Sequence, residues 1–421
     1  MPTFSLASLK KIYFKNKLKF LELTFLSLFL AFLPSLEAPK NIFLVGYLIT
    51  ALYRQSQLPS SKWNIWDWIF LSLIFSSFLS ALFPFVAGGS EWKGFRGMLL
   101  WIAFGWMLFR SDYNEKEKKY FFILSAIATL PPLMWGLIEL SILDTKNALQ
   151  LHSVGHVNHS AIYLCMIFGA SLAFLCNQLQ ILKKKHVFIL AFLSFFLLGG
   201  IIMSESRGAF GVAILLAFAI FFLSKLPVKI KAISITLLTI FLIIIVFIWP
   251  VPVIEKQIAS KNNNDIFSQR DKVWRAAFEM ARLNPLLGIG GGNWNHLKID
   301  QIKSSVESRG ETFNAEEFAL QYHHSHNIYL SNLVDRGILG LIIFLNFMLT
   351  WLIILINSYK KFNHDEKGML FIMGSFSAWV SIFVIGFVNT TFHHENALLA
   401  LFFLGLHLNY LRQKNQLRLF S

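Results

Sequence analysis

The chain has 421 residues, of which 55% are hydrophobic and 14% charged, with a mean hydropathy of +0.56. That balance excludes a soluble globular protein: apolar stretches of about 17–25 residues recur, each long enough to cross a hydrocarbon layer of about 30 Å as a helix. The formal charge of +15 reads as an orientation signal and calls for no nucleic-acid partner. The two cysteines, Cys165 and Cys176, lie in one apolar stretch and form neither a disulfide framework nor a zinc-ligand spacing.

In chain order, the apolar segments predict about twelve helices, centred near residues 27, 47, 77, 103, 130, 170, 195, 216, 240, 347, 379 and 402; the second and fourth give the weakest signal. The basic flank MPTFSLASLKKIYFKNKLKF precedes an apolar segment with no small-x-small cleavage site, which reads as a retained first helix. With the N-terminus cytoplasmic, 23 Lys and Arg fall in inside segments, against five (Lys40, Lys93, Arg96, Lys146 and Arg207) in short outside ones. The other ten of the 38 occupy the connection 251–336, and long connections translocate largely regardless of charge. Both termini are therefore expected in the cytoplasm. The expected organisation is helices one to nine over 1–250, a large outer loop over 251–331, and helices ten to twelve over 332–421.

This topology puts nine of the twelve histidines outside: His152, His156, His159, His296, His323, His324, His326, His393 and His394. They mark a polar site at the outer boundary, or loops that simply tolerate titratable residues. Intramembrane carboxylates are scarce, with Glu22 and Glu139 the main candidates and both toward helix ends, which argues against an ion-coupled pathway.

The outer loop follows Pro250 and Pro252, which end the ninth span, and KNNNDIFSQ, which reads as a mobile approach. SQRDKVWRAAFEMARL then predicts an amphipathic helix over 268–283 with Ser268 as a cap; Arg270 and Trp274 share one face, while Arg275 and Arg282 can point elsewhere. Asn284 and Pro285 stop it. Gly288, Gly290, Gly291 and Gly292 in LLGIGGGNW fit neither phosphate-loop nor dinucleotide-binding spacing, and predict a tight turn with close chain approach. In MSESRGAF, Arg207 sits at a short outer junction. It either snorkels to headgroups or offers its planar fork to phosphate oxygens such as those of a lipid diphosphate. HHSHNIY, residues 323–329, raises metal binding, but no HEXXH pattern accompanies it and the nearest carboxylates, Glu316 and Glu317, lie several residues upstream.

Three pieces stand in order: SRGA between two spans, R-x-x-x-W followed by NPLLGIGGGNW, and HSHNIYLSNLVDRGILG entering the next span. Together they resemble the O-antigen ligase superfamily of integral membrane glycosyltransferases. The resemblance implies an all-α, GT-C-like polytopic membrane protein with a large periplasmic loop containing short helices, in the bacterial inner membrane. It implies that Arg207 and Arg270 bind the diphosphate of an undecaprenyl-diphosphate-linked glycan and that His326, followed by Asn327 and Leu330, is the catalytic base. His324, Asn327, Arg275 and Trp274 are candidate supporting residues, and no cofactor or metal is expected. GHVNHSAIY is only loosely similar, and His152, His156, His159, His393 and His394 receive no step. The base and the cations would serve a single inverting displacement onto a lipid A-core hydroxyl. A repeat-unit polymerase, a pilin or protein glycosyltransferase, and, in another class, a lipid-linked glycan transporter are the alternatives. The compact length and the lack of an added C-terminal domain favour the ligase.

Overall fold

A computed structural model describes residues 6–57, 62–179, 182–248, 269–321 and 324–417. The regular elements among the described residues are all helical: α1 (Leu6–Phe32), α2 (Glu37–Ser56), α3 (Ile65–Leu82), α4 (Ser90–Arg110), α5 (Glu115–Ala128), α6 (Leu130–Ser141), α7 (Val157–Gln178), α8 (Lys184–Met203), α9 (Arg207–Leu223), α10 (Val228–Ile248), α11 (Arg270–Leu283), α12 (Ile299–Glu307), α13 (Ile328–Phe362), α14 (Glu366–Ile385) and α15 (His394–Gln413). Each expected centre falls in a helix. The stretch centred near residue 130 is broken in two, because Pro131 and Pro132 in the first turn of α6 supply no N–H to continue the ladder from α5.

Six helices among the described residues are long and apolar enough to cross a membrane: α3, the pair α5–α6, α7, α8, α13 and α14. Helix α9 is apolar but shorter, and α4 carries Glu91, Lys93, Arg96 and Arg110. The chain is thus an all-α polytopic membrane protein. At the centre of the bundle α7 packs against α14, with α8, α9, α13 and α15 around them. Helix α15 is buried from Glu395 to Leu411 and lies along α4. At the end away from residues 270–321, Glu22 is fully buried, paired with Arg54 and accepting a 2.9 Å hydrogen bond from Ser111. Pairing of this kind offsets the desolvation of both charges.

Helices α11 and α12, with short 3-10 turns at Asn293–His296 and Ala315–Glu317, build a second core from Val273, Ala277, Met280, Trp294 and Ile302. Glu279 ties it together, pairing with Arg282 and accepting from Arg309 (2.9 Å) and Ser305 (3.1 Å). Helix α11 starts at Arg270, after Gln269 in the left-handed region (φ 58°). Ser268, the expected cap, lies outside the described residues, as do Pro250, Pro252, residues 261–268 and His323.

The glycine-rich turn lies against a break in α13. At Gly337 the backbone leaves helical geometry (φ 64°, ψ −167°), separating residues 328–336 from the long apolar stretch that follows. The groups freed by the break are taken up by the turn. Ile289 N donates to Val334 O (2.8 Å), Gly290 N to Asp335 O (3.2 Å), and Ile338 N to Pro285 O (2.8 Å). The chains touch so closely that a Cβ on Gly337 would lie 2.3 Å from the Leu286 carbonyl, and one on Gly288 2.5 Å from that of Val334. Side chains cannot occupy this contact, which explains the glycines.

Candidate active site

The turn carrying His326 is built from its flanking residues. Asn327 caps α13, its Oδ1 accepting from Tyr329 N (2.9 Å) and Leu330 N (3.1 Å), and its Nδ2 donates to Phe387 O (3.1 Å). Ile328 N donates to Gly386 O (2.8 Å), so the same turn is fastened to the end of α14. Buried Ser325 reaches Asn327 O (2.7 Å) and Ser331 (2.8 Å), and Trp274 Nε1 donates to Ser325 O (3.1 Å) from α11. These restraints hold His326 at φ 49°, an unfavourable backbone region for a residue with a side chain.

Arg270 begins α11 and Arg207 begins α9. Burial and then the charge of Arg207 push the Arg270 guanidinium below its ordinary value, so the two cations are close enough to repel. Arg270 in turn acts on His326. Burial first, then His324, Arg270 and His156, push the His326 imidazole down from 6.5 to about 3, while a side-chain hydrogen bond with Asn389 works in the other direction. His326 is therefore neutral at pH 7 and can accept a proton.

The structure brings Arg207, Arg270, His326 and His324 into one electrostatic neighbourhood; the His324 and His326 rings are 4.2 Å apart between centroids. Trp274 and Asn327 touch the turn through hydrogen bonds. Arg275 points elsewhere: 60% exposed, it pairs with Glu317 on the surface.

Of the nine histidines expected together, six cluster. His156 and His159 (5.8 Å between ring centroids), His159 and His393 (4.3 Å), and His393 and His394 (4.9 Å) form a chain of rings. It joins His324 and His326 electrostatically, since burial and then His159, His394 and His324 push His393 well below its ordinary value. His152 is exposed, and His296 sits 3.0 Å from Ser90. No three His, Cys, Asp or Glu groups among the described residues converge as a metal site.

Beside His324 lies a cavity of about 310 Å³ lined by residues from α3, α4, α7, α13 and the loop before α15. It contains His159, His393 and His394, and also Trp101, Asp335 and Arg336, which the sequence reading did not select. The available signal was Arg336 itself, a cation in the sequence VDRGILG one residue before the helix break.

Residues 192–345 match the O-antigen ligase family. Over 216 residues the chain is 27% identical to a candidate polysaccharide ligase of Rickettsia felis, an alignment covering 49% of this chain and 47% of that protein. Over 212 residues it is 28% identical to a candidate polysaccharide ligase of Rickettsia typhi, again covering 49% and 47%. The chain thus spans about half the length of the curated relatives it matches. The matched region runs from α8 into α13 and contains Arg207, Arg270, Trp274, His326 and Gly337. Over that region the chain is similar to the O-antigen ligase family.

Proposed function

We propose that the protein is a metal-independent, inverting glycosyltransferase that moves a glycan from undecaprenyl diphosphate to a lipid A-core hydroxyl. The end of the bundle carrying residues 270–321 faces the periplasm in this reading, with the protein in the bacterial inner membrane. The observation that carries it is the coupling of Arg207 to Arg270 and of Arg270 to His326. His326 takes the proton of the acceptor hydroxyl as its oxygen bonds to the anomeric carbon. The bond from that carbon to the diphosphate oxygen breaks, and the electron pair leaves with undecaprenyl diphosphate. Arg207 and Arg270 bind the departing anion in a partly dehydrated site, where fixed cations act more strongly than in water.

The site also links donor binding to base strength. A diphosphate between the two arginines offsets the Arg270 contribution to the lowering of the His326 imidazole, a smaller cause than burial, so its proton affinity rises somewhat once the donor is in place.

The test is deletion of the chromosomal copy, followed by lipopolysaccharide gels and analysis of lipid-linked glycans. Loss of the polymer ladder, with polymer accumulating on undecaprenyl diphosphate, supports ligation to the lipid A-core. A core carrying a single repeat would assign a polymerase instead, and loss of pilin glycans a protein glycosyltransferase. An unchanged ladder and unchanged pilin glycans would refute the transferase reading.

A further inference from the structure

The cavity beside His324 holds chemistry that the donor-side cations do not use. Arg207, Arg270 and His326 are not among its lining residues, whereas Trp101, His324, Asn332, Asp335, Arg336 and Thr390 are. Arg336 Nη1 donates to Asn332 Oδ1, but its Nε is buried with no hydrogen-bond partner among the described residues, and so is His159 Nδ1 in the same wall. Two buried polar atoms left over in one cavity are donors or acceptors offered to a guest.

The character of that guest follows from the lining. Asp335 lines the cavity alongside Arg336, so an acidic side chain accompanies the guanidinium and the lining lacks the excess of cations that a second diphosphate would require. A guanidinium, a carboxylate, an amide and a hydroxyl side by side match neighbouring sugar hydroxyls, each of which donates one hydrogen bond and accepts others. The Trp101 indole offers an apolar surface to the C–H face of a pyranose. A volume of about 310 Å³ is at the small end of ligand pockets, which run about 300–1,000 Å³, and suits the end of a glycan rather than a long chain.

We infer that this cavity is the acceptor subsite and takes the terminal sugar of a glycan, its hydroxyls bound by Arg336, Asp335 and Asn332 and its ring face against Trp101. His324 lines the cavity and lies against His326, which marks where the acceptor hydroxyl reaches the base. The inference rests on the transferase reading above and narrows it, favouring a carbohydrate hydroxyl over a protein side chain.

The experiment is saturation-transfer NMR on the full chain in detergent, with glucose, galactose and N-acetylglucosamine as probes. Wild type should transfer saturation to the ring protons of at least one sugar. Trp101→Ala and Arg336→Gln should lower that signal at least tenfold, while Trp101→Phe keeps part of it and Arg270→Ala, on the donor side, keeps it whole. An undiminished signal in monodisperse Trp101→Ala and Arg336→Gln, or no signal from any sugar in wild type, overturns the subsite. Transfer measured in membranes separates the two ideas. Sugar binding through Trp101 and Arg336 without glycan transfer would sink the transferase and leave the subsite. Transfer at the wild-type rate in both variants would sink the subsite and leave the transferase.

Discussion

The indole nitrogen of Trp274 donates a 3.1 Å hydrogen bond to the carbonyl oxygen of Ser325, joining the helix that begins with Arg270 to the turn that carries His326. Trp274→Phe keeps the ring and removes the donor. A single hydrogen bond contributes about 0.5–1.5 kcal/mol net, so turnover should fall by roughly twofold to twelvefold if the bond sets the spacing of cation and base. The Michaelis constant for the lipid-linked donor should change less than turnover. An unchanged turnover with intact expression would show that the bond does not position the site.

Arg270 and His326 are also coupled through charge, which predicts a titration. In Arg270→Gln the imidazolium of His326 no longer faces that guanidinium, so the His326 pKa should rise from about 3 toward 6.5 without reaching it, because burial, the larger cause, remains. Histidine-selective NMR of labelled protein reads this directly. A value that stays near 3 would refute the electrostatic link.

The same groups make stability depend on pH. His326 and His393 are held below their ordinary value of 6.5, so below that pH the unfolded chain binds protons that the folded chain refuses. The stabilisation is complete above about 6.5 and is lost as the pH falls toward 3. Thermal unfolding in detergent should therefore move to lower temperature across that window. His393→Asn should flatten the dependence, and an equal slope in the variant would show that other groups dominate.

Arg207→Lys keeps the charge at the start of α9 but loses the planar two-pronged donor set. Transfer should drop at least tenfold while the protein still reaches the membrane. His326→Ala should lose nearly all product, and His324→Ala should retain more. Equal losses at the two histidines would leave no ground for choosing His326 as the base.

How much of this was legible in the sequence depends on distance along the chain. Arg207, Arg270 and His326 were selected as candidates because three local motifs occur in a fixed order, and the helix over 270–283 was legible because Val273, Ala277, Met280 and Ala281 recur with its period. Counting lysines and arginines put the histidines on a common side, but it could not separate exposed His152 from His159 and His393, whose rings meet at 4.3 Å. That meeting depends on α7 packing against α14 and α15, which no local pattern encodes. Arg336 was overlooked for the same reason. Its neighbours in the cavity come from α3, α4, α7 and the loop before α15. The split of α5 from α6 was within reach, since Pro131 and Pro132 stand in plain view in the middle of an apolar run.

Gly337 and Gly89 give a paired test of the broken helix. Both have positive φ, but Gly89 (φ 81°, ψ −13°) is in the left-handed helical region, where alanine is strained by roughly 1–2 kcal/mol, whereas Gly337 (φ 64°, ψ −167°) is in a region essentially restricted to glycine, where the strain reaches roughly 3 kcal/mol. A Cβ at Gly89 meets nothing within 4 Å, whereas one at Gly337 would sit 2.3 Å from the Leu286 carbonyl. Gly337→Ala must therefore push the glycine-rich turn off α13 and disturb the Ile289–Val334 and Ile338–Pro285 hydrogen bonds. It should lower the unfolding temperature more than Gly89→Ala. It should also depress transfer, because residues 328–336 supply the Tyr329 and Leu330 N–H groups that Asn327 caps beside His326, and the Arg336 wall of the cavity. Matching losses of stability at the two sites would mean that the turn yields easily, and that the break in α13 is held by something other than this backbone contact.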